Sequence, residues 1–540
     1  MWNVRRACAN CRNRKIRCDE VRPVCGQCTR RGPYRGLECE YSDHLGRTPT
    51  EVLEDQIYEL ENKIQELEDP KIQPSSIRLS HPYSGPHSFS PGPSRNVTGS
   101  SVPGHADQDL PLELRKSLLA LFLSQSFNVG FFLNPTRFWQ SALSNLPPGH
   151  PDRPTPSLLN TVYLLAFYLS RRSRGQDNAQ TTQQIQLFLS HSLQQVSTML
   201  NSTHPHRVVH GIQAEVLLST YFFDMGKIVE GKYHLSAAVS LAIGVGLHRI
   251  RSDIPASSRQ EALPPPRDSM EEGERINAFW TVYMLSNVWG AVEGSSGSVF
   301  ERNGSSTIDT PWPLDVADYE QYGLPSNLVG NSTVHKFLLG SEDQSAVSSA
   351  NSLNAQASIL LERAASLTSR FHSNMLSAEE RQAFENFNSL DNLIDTFIGS
   401  RLPPMDGLDP TSRVFGAALL THTFSYVSCI QLHSLFCDRE KKSMVKSLAA
   451  VEACIALLGQ ARNAPFISPV MAMLWMNIAK VIFQQITRLR QASRGSRNRG
   501  DKEGQLVQAL KQLGETLRIF GESSVLMRNQ YMNLQSTTNA

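Results

Sequence analysis

The stretch whose reading decides the fold is Arg6-Ala-Cys8-Ala-Asn-Cys11-Arg-Asn-Arg-Lys15-Ile-Arg-Cys18-Asp19-Glu-Val-Arg-Pro23-Val-Cys25-Gly-Gln-Cys28, completed by Cys39 after ten intervening residues. Each Cys-x2-Cys pair brings two thiolates to one side of a tight turn, where a tetrahedral Zn2+ holds both. Six ligands for two four-coordinate ions fall two short, and the deficit closes if two cysteines bridge both ions. All-thiolate tetrahedral sites suit zinc, which adds no electron chemistry. Ligand-saturated ions leave no position for water, so the cluster reads as structural rather than catalytic.

Charge follows the cysteines. The whole chain of 540 residues carries only +2 net, yet nine arginines and Lys15 face three acidic residues between Met1 and Cys39. Two zinc ions with six thiolates remove two charges from that excess and leave about +5, enough to meet a polyanion. The competing reading is a zinc module for protein contacts, with the arginines as a solvated face. Six of the nine cysteines lie in this segment, whereas a secreted disulfide scaffold is short and cysteine-rich throughout. The first twenty residues show no apolar signal core, and the most apolar stretch, Leu235–Leu247, is shorter than the roughly 20 residues a bilayer needs. The expectation is a soluble intracellular protein with no membrane partner.

These residues resemble the fungal-type binuclear zinc cluster regulators. The resemblance implies that each Cys-x2-Cys opens a short helix and that the first and fourth cysteines bridge the metals. Cys8, Cys11, Cys18 and Cys25 would then hold one zinc, and Cys25, Cys28, Cys39 and Cys8 the other. It further implies that Lys15, at the end of the first helix, reads a CGG-type triplet in the major groove, with Arg14 as its basic neighbour. Arg12 and Arg17 become phosphate-contact candidates, and Pro23 matches the turn proline between the halves. The gap before Cys39 is longer than the family's usual spacing, so Pro33-Tyr34-Arg35-Gly36 is expected to bulge outward.

Downstream, Leu53, Ile57, Leu60, Ile64 and Leu67 alternate at spacings of four and three. Ile at a and Leu at d favour a parallel two-stranded coil. The alternative is a helix packed on its own chain. A zipper after such a cluster implies a homodimer reading two half-sites, with Glu40–Thr50 setting their separation. The domain reading is 1–41 zinc cluster, 42–50 connector, 51–69 coiled coil, 70–109 a Ser/Pro/Gly/His-rich disordered linker, and 110–540 an all-helical domain.

In that last region Leu114, Leu118, Leu121 and Phe122, and Ile276, Phe279, Trp280, Tyr283 and Met284, keep helical periodicity. Residues 212–223 and 228–248 read as a helix pair turned at Asp224-Met225-Gly226, and 250–272, 294–330 and 340–352 as irregular. The stretches His210–Lys227, Gly231–Arg249 and Glu274–Tyr283 are similar to the fungal-specific transcription factor domain, or middle homology region, over about 110–480. That similarity implies a helical domain that modulates activity through co-regulators or receives a small-molecule effector.

Enzyme signatures do not assemble. Gly244-Val-Gly246 follows no strand and lacks the full glycine fingerprint. His204, His206 and His210 read better as a loop entering a helix than as a metal site. Cys429, Cys437 and Cys454 read as buried thiols, and Arg488–Lys502 as an inter-helix loop or a localisation signal. The function expected is a nuclear, zinc-dependent, sequence-specific regulator of RNA polymerase II transcription on double-stranded DNA. The alternative is a zinc-containing co-regulator or scaffold without specific DNA binding.

Overall fold

The computed structural model describes residues 7–30, 39–41, 57–58, 61, 110–174, 179–253, 263–294, 308–325, 328–341, 349–370, 377–437, 440–491 and 497–539. The chain divides into two compact units, Met1–Val102 and Pro103–Ala540. Among its described residues the first holds two short helices, α1 (Ala9–Asn13) and α2 (Gly26–Thr29), and helical backbone at Ile57, Tyr58 and Glu61.

The second unit is built of helices among the described residues. It runs α3 (Leu112–Ser124), α4 (Pro135–Ala142), α5 (Pro156–Arg174), α6 (Ala179–Thr198), α7 (Arg207–Asp224), α8 (Ile228–Gly244), α9 (Ser269–Glu293), α10 (Val316–Tyr322) and α11 (Thr333–Leu338). It continues with α12 (Ala350–Arg370), α13 (Ser377–Ser400), α14 (Arg413–His433), α15 (Lys441–Ala461), α16 (Val470–Gln491), α17 (Arg497–Gly521) and α18 (Val525–Asn539). Among the described residues the sole strand-like contact is one parallel bridge, Ser252 to Gly330. The mainly α expectation holds.

Local chemistry sets the helix limits. The turn between α7 and α8 lies where expected, with Gly226 at φ +70°, a left-handed value that glycine adopts without steric cost. The pair starts earlier than the pattern suggested, at Arg207, and α8 stops at Gly244 because Gly246 turns left-handed at φ +77°. The stretch expected to be irregular up to residue 272 yields to α9 at Ser269. Asp268 caps that helix, accepting from Glu271 N at 2.9 Å, and the Arg137 guanidinium grips both of its oxygens at 3.0 and 2.7 Å. Likewise α10 interrupts 294–330, started by an Asp315/Asp318 capping box.

Packing follows the periodic residues with one exception. Leu118, Phe122, Ile276, Phe279, Trp280 and Tyr283 are buried, whereas Leu114, in the first turn of α3, is exposed. Trp280 stacks on Trp312 at 4.4 Å between centroids and donates its indole N–H to Pro311 O at 2.7 Å. Trp475 of α16 is fully enclosed, and burying a large apolar side chain of this kind is worth about 1.5–3 kcal/mol. α12 and α14 pack along each other, with α9 and α15 against them. By length and composition α15 and α16 are apolar enough to cross a membrane, a match the Leu235–Leu247 reading overlooked. Their Val451, Cys454, Leu474 and Ile478 are spent in the helical core instead.

Asp224, read as a simple turn residue, is a buried junction. Its carboxylate accepts from Tyr168 Oη at 2.6 Å and Ser524 Oγ at 2.5 Å and pairs with Arg172 at 2.8 Å. It thereby ties α5 and α7 to the chain entering α18. The three histidines lie with ring centroids 5.4–5.7 Å apart, but the ring nitrogens of His204 and His210 serve the backbone, and His206 Nδ1 faces the Glu271 carboxylate at 3.7 Å. His206 N donates to His204 Nδ1 at 3.1 Å and Thr155 N to His210 Nδ1 at 3.3 Å. Cys429 and Cys454 are buried as expected, and burial pushes the Cys429 thiol up to about 12. Cys437 is half-buried rather than enclosed.

Candidate metal centre and nucleic-acid interface

Both Cys-x2-Cys pairs open a helix in the same way. Cys8 (φ −63°, ψ 155°) and Cys25 (φ −70°, ψ 152°) are extended N-cap residues, while Cys11 and Cys28 lie inside α1 and α2 and are buried. Cys8 Sγ accepts from Cys11 N at 3.4 Å, a contact that favours the thiolate.

The sulfurs converge. Cys8 Sγ lies 3.8 Å from Cys25 Sγ and 3.9 Å from Cys28 Sγ, and Cys11 Sγ lies 3.6 Å from Cys25 Sγ. Cys39 Sγ accepts the Cys25 N–H at 3.2 Å, and Cys18 Sγ sits 3.8 Å from the Tyr41 hydroxyl. Two close groups result, Cys8/Cys11/Cys25/Cys28 and Cys18/Asp19/Cys25. All six are free thiols, with separations far above a disulfide bond of about 2.05 Å. The separations match the edge of a sulfur tetrahedron, about 3.8 Å for metal–sulfur bonds of about 2.3 Å. Cys8 and Cys25 occupy the middle, each touching sulfurs on more than one side.

Such crowding is electrostatically uneven. Burial pushes the Cys28 thiol up to about 12 and the Cys8 thiol higher still. Burial also raises Cys25, but the Cys28 backbone N–H and the neighbouring thiols outweigh it and bring that group down to about 6. Sulfurs in mutual contact cannot all ionise unless cations share the charge. The donor set fits divalent zinc.

Residues the sequence reading did not single out build the frame. Both oxygens of Asp19 accept from Gly26 N, at 3.1 and 2.9 Å, and a side chain at Gly26 would collide with Asp19 Oδ2. Asn10 Nδ2 donates to Cys28 Sγ at 3.6 Å. Tyr41 donates to Val21 O at 2.9 Å under the Arg22 guanidinium, and Ala9 N reaches Glu40 O at 2.7 Å, closing residues 39–41 onto α1. Pro23, the expected turn proline, follows a cis peptide bond. The available signal was Asp19 next to one cysteine and a glycine directly after another.

The basic side chains fall into two kinds. Arg14 caps α1, and Lys15 follows at φ +53°, with Lys15 N bonded to Arg12 O at 3.1 Å and Ile16 N to Cys11 O at 3.1 Å. Those two bonds form the helix-ending motif whose left-handed position is normally a glycine. Lys15 and Arg17 are exposed, Arg14 half-buried. Arg12 is half-buried and donates from Nη2 to Ala7 O at 3.2 Å, so part of its guanidinium serves the fold. Of the heptad residues, Ile57 is helical and 54% exposed. Leu53, Leu60, Ile64 and Leu67 lie outside the described residues, as do the Pro33–Gly36 loop, the 42–50 connector and the 70–109 linker.

The fungal Zn(2)-Cys(6) binuclear cluster domain matches residues 6–48, and the fungal specific transcription factor domain matches residues 119–397, just over half of the chain. This chain belongs to the fungal-specific transcription factor family. The Zn(2)-Cys(6) domain brings two zinc ions with it, and its class is a transcription regulator rather than an enzyme. Over 69 residues the chain is 44% identical to the "Transcriptional activator protein acu-15" of Neurospora crassa, covering 12% of this chain and 7% of that protein. Over 72 residues it is 39% identical to the "Regulatory protein CAT8" of Saccharomyces cerevisiae, covering 12% and 5%. Over 100 residues it is 35% identical to the "Transcription factor AN6788" of Emericella nidulans, covering 13% and 15%. The chain thus matches less than a fifth of the length of each of these relatives. No solved structure matches.

Proposed function

We propose that this family member is a nuclear, zinc-dependent, sequence-specific regulator of RNA polymerase II transcription that reads CGG-like triplets in double-stranded DNA as a homodimer. Cys8, Cys11, Cys18 and Cys25 would hold one ion, and Cys25, Cys28, Cys39 and Cys8 would hold the other. Zinc supplies a fixed tetrahedral hub that folds a segment too small for a hydrophobic core. The remaining work belongs to the chain. Asp19 and Tyr41 hold the two halves in place, and α1 presents its C-terminal end outward.

The observation that carries the reading is Lys15, an exposed lysine in the left-handed position that ends α1. A residue other than glycine there costs about 1–2 kcal/mol, and such strain belongs where a side chain is needed for function. Lys15 is placed to donate to a guanine edge, with Arg14 beside it and Arg17 for phosphate. Ile57, half exposed in the single chain, suits an a position covered by a second copy.

The test is selection from random duplexes with the full chain, with zinc counted by native mass spectrometry. Two zincs per chain and enriched paired CGG-like triplets are expected, and deleting 51–69 leaves weak half-site binding without avidity. Two zincs with no enriched triplet would transfer the assignment to a co-regulator or scaffold.

A further inference from the structure

The helical unit encloses a cavity of about 60 Å3 that no part of the DNA-reading proposal uses. The 127–132 segment, α7, α9, α12 and α14 meet around it. Two of its lining side chains are nearly inaccessible amides, Asn277 at 5% exposure and Asn354 at 2%. Each carries an orphaned polar atom, the Asn277 carbonyl oxygen and the Asn354 amide nitrogen. The Asn354 carbonyl is fixed by Thr421 Oγ1 at 3.1 Å. A buried acceptor and a buried donor without partners each carry a desolvation cost that a ligand relieves.

The rest of the wall sets the chemistry. Among the described residues no aspartate or glutamate lines the cavity, and Arg413 is its one cation. The Arg413 guanidinium lies 5.3 Å over the Phe127 ring, reaches Asn351 Oδ1 at 3.4 Å, and stands 3.9 Å from the Asp315 carboxylate. That long approach leaves its charge incompletely met at a half-open mouth. Trp280 and Met284 supply apolar wall.

We propose that this cavity binds a short hydroxycarboxylate, its carboxylate on Arg413 and its hydroxyl between the orphaned atoms of Asn277 and Asn354. A hydroxyl is the group that both donates to one amide and accepts from the other. On a measure in which one water needs about 10–15 Å3, the space admits roughly four to six non-hydrogen atoms, an acid of about two or three carbons. The site lies wholly in the helical unit, so it neither requires nor tests DNA reading.

Full-length protein, without DNA, is titrated with the sodium salts of such 2- and 3-hydroxy acids, by calorimetry and by thermal unfolding. The controls are the matching amides, which lack the charge, and the matching alkanoates, which lack the hydroxyl. One acid is expected to bind saturably, with its amide and its alkanoate each weaker by about tenfold or more. Arg413→Gln, at the mouth, should weaken the acid to the level of its amide. Asn277→Leu removes an unpartnered amide, so it should abolish binding while the melting temperature holds or rises. Shifts matched by sodium chloride alone, or amides equal to acids, would overturn the proposal. So would an Asn277→Leu protein that melts lower and still binds nothing less, since that amide would then be a water-satisfied structural group.

Discussion

Replacing Lys15 by glycine should make the zinc unit more stable and its DNA binding worse, opposite effects from one position. Lys15 ends α1 at φ +53° with Ile16 N bonded back to Cys11 O at 3.1 Å. A left-handed residue with a Cβ costs about 1–2 kcal/mol, and glycine removes that cost. Glycine's extra freedom in the unfolded chain takes back about 0.4–1 kcal/mol, leaving a net gain of about 0.5–1 kcal/mol. The gain is read as zinc release to a chromogenic chelator along a urea titration of the full chain, because zinc binding and folding of this unit are coupled. Lys15→Ala is the control, since alanine keeps the strain and its stability should equal that of the unsubstituted protein. On a CGG-containing duplex both variants should lose about 1–3 kcal/mol, roughly 5- to 150-fold in anisotropy titrations, with reduced preference for the triplet. A glycine variant no more stable than the alanine variant would refute the strain argument. One that keeps its triplet preference would refute the role of the side chain.

Three further outcomes follow from the geometry. Cys8→Ser or Cys25→Ser should lose both zincs in native mass spectra, whereas Cys18→Ser or Cys39→Ser should retain one, because the two proposed ligand sets have only Cys8 and Cys25 in common. Arg17→Ala should weaken all duplexes about equally and lower the salt slope by about one, while Arg12→Ala, whose guanidinium also holds Ala7 O, should in addition ease zinc release. In the helical unit, burial raises the Glu274 carboxyl to about 7 from an ordinary 4.5, against the Asn134 N–H and Arg137, which lower it. Stability from the protonated form is full below 4.5 and is lost as pH rises through 7. Glu274→Gln keeps the acceptor for Asn134 and should therefore gain about 2 kcal/mol above pH 8 and flatten that slope, measured by denaturant unfolding at a series of pH values.

The sequence by itself determined the metal and the number of ions, because thiolate spacing is a local property of the chain, while the helix-opening role of the two cysteine pairs came with the family resemblance. It also determined the helical class of the second unit, because a 3.6-residue apolar period survives in one dimension. It placed the α7–α8 turn at Gly226, where only local backbone sterics decide. Tertiary structure alone decided the rest. The Asp19 clasp on Gly26 and the stapling by Tyr41 depend on segments brought together by the cluster. The Asp224 junction joins residues about three hundred positions apart, and Asn277 and Asn354 share a cavity only because α9 packs on α12. Such contacts leave no periodic trace, since each polar residue involved looks in sequence like an ordinary solvent-facing one.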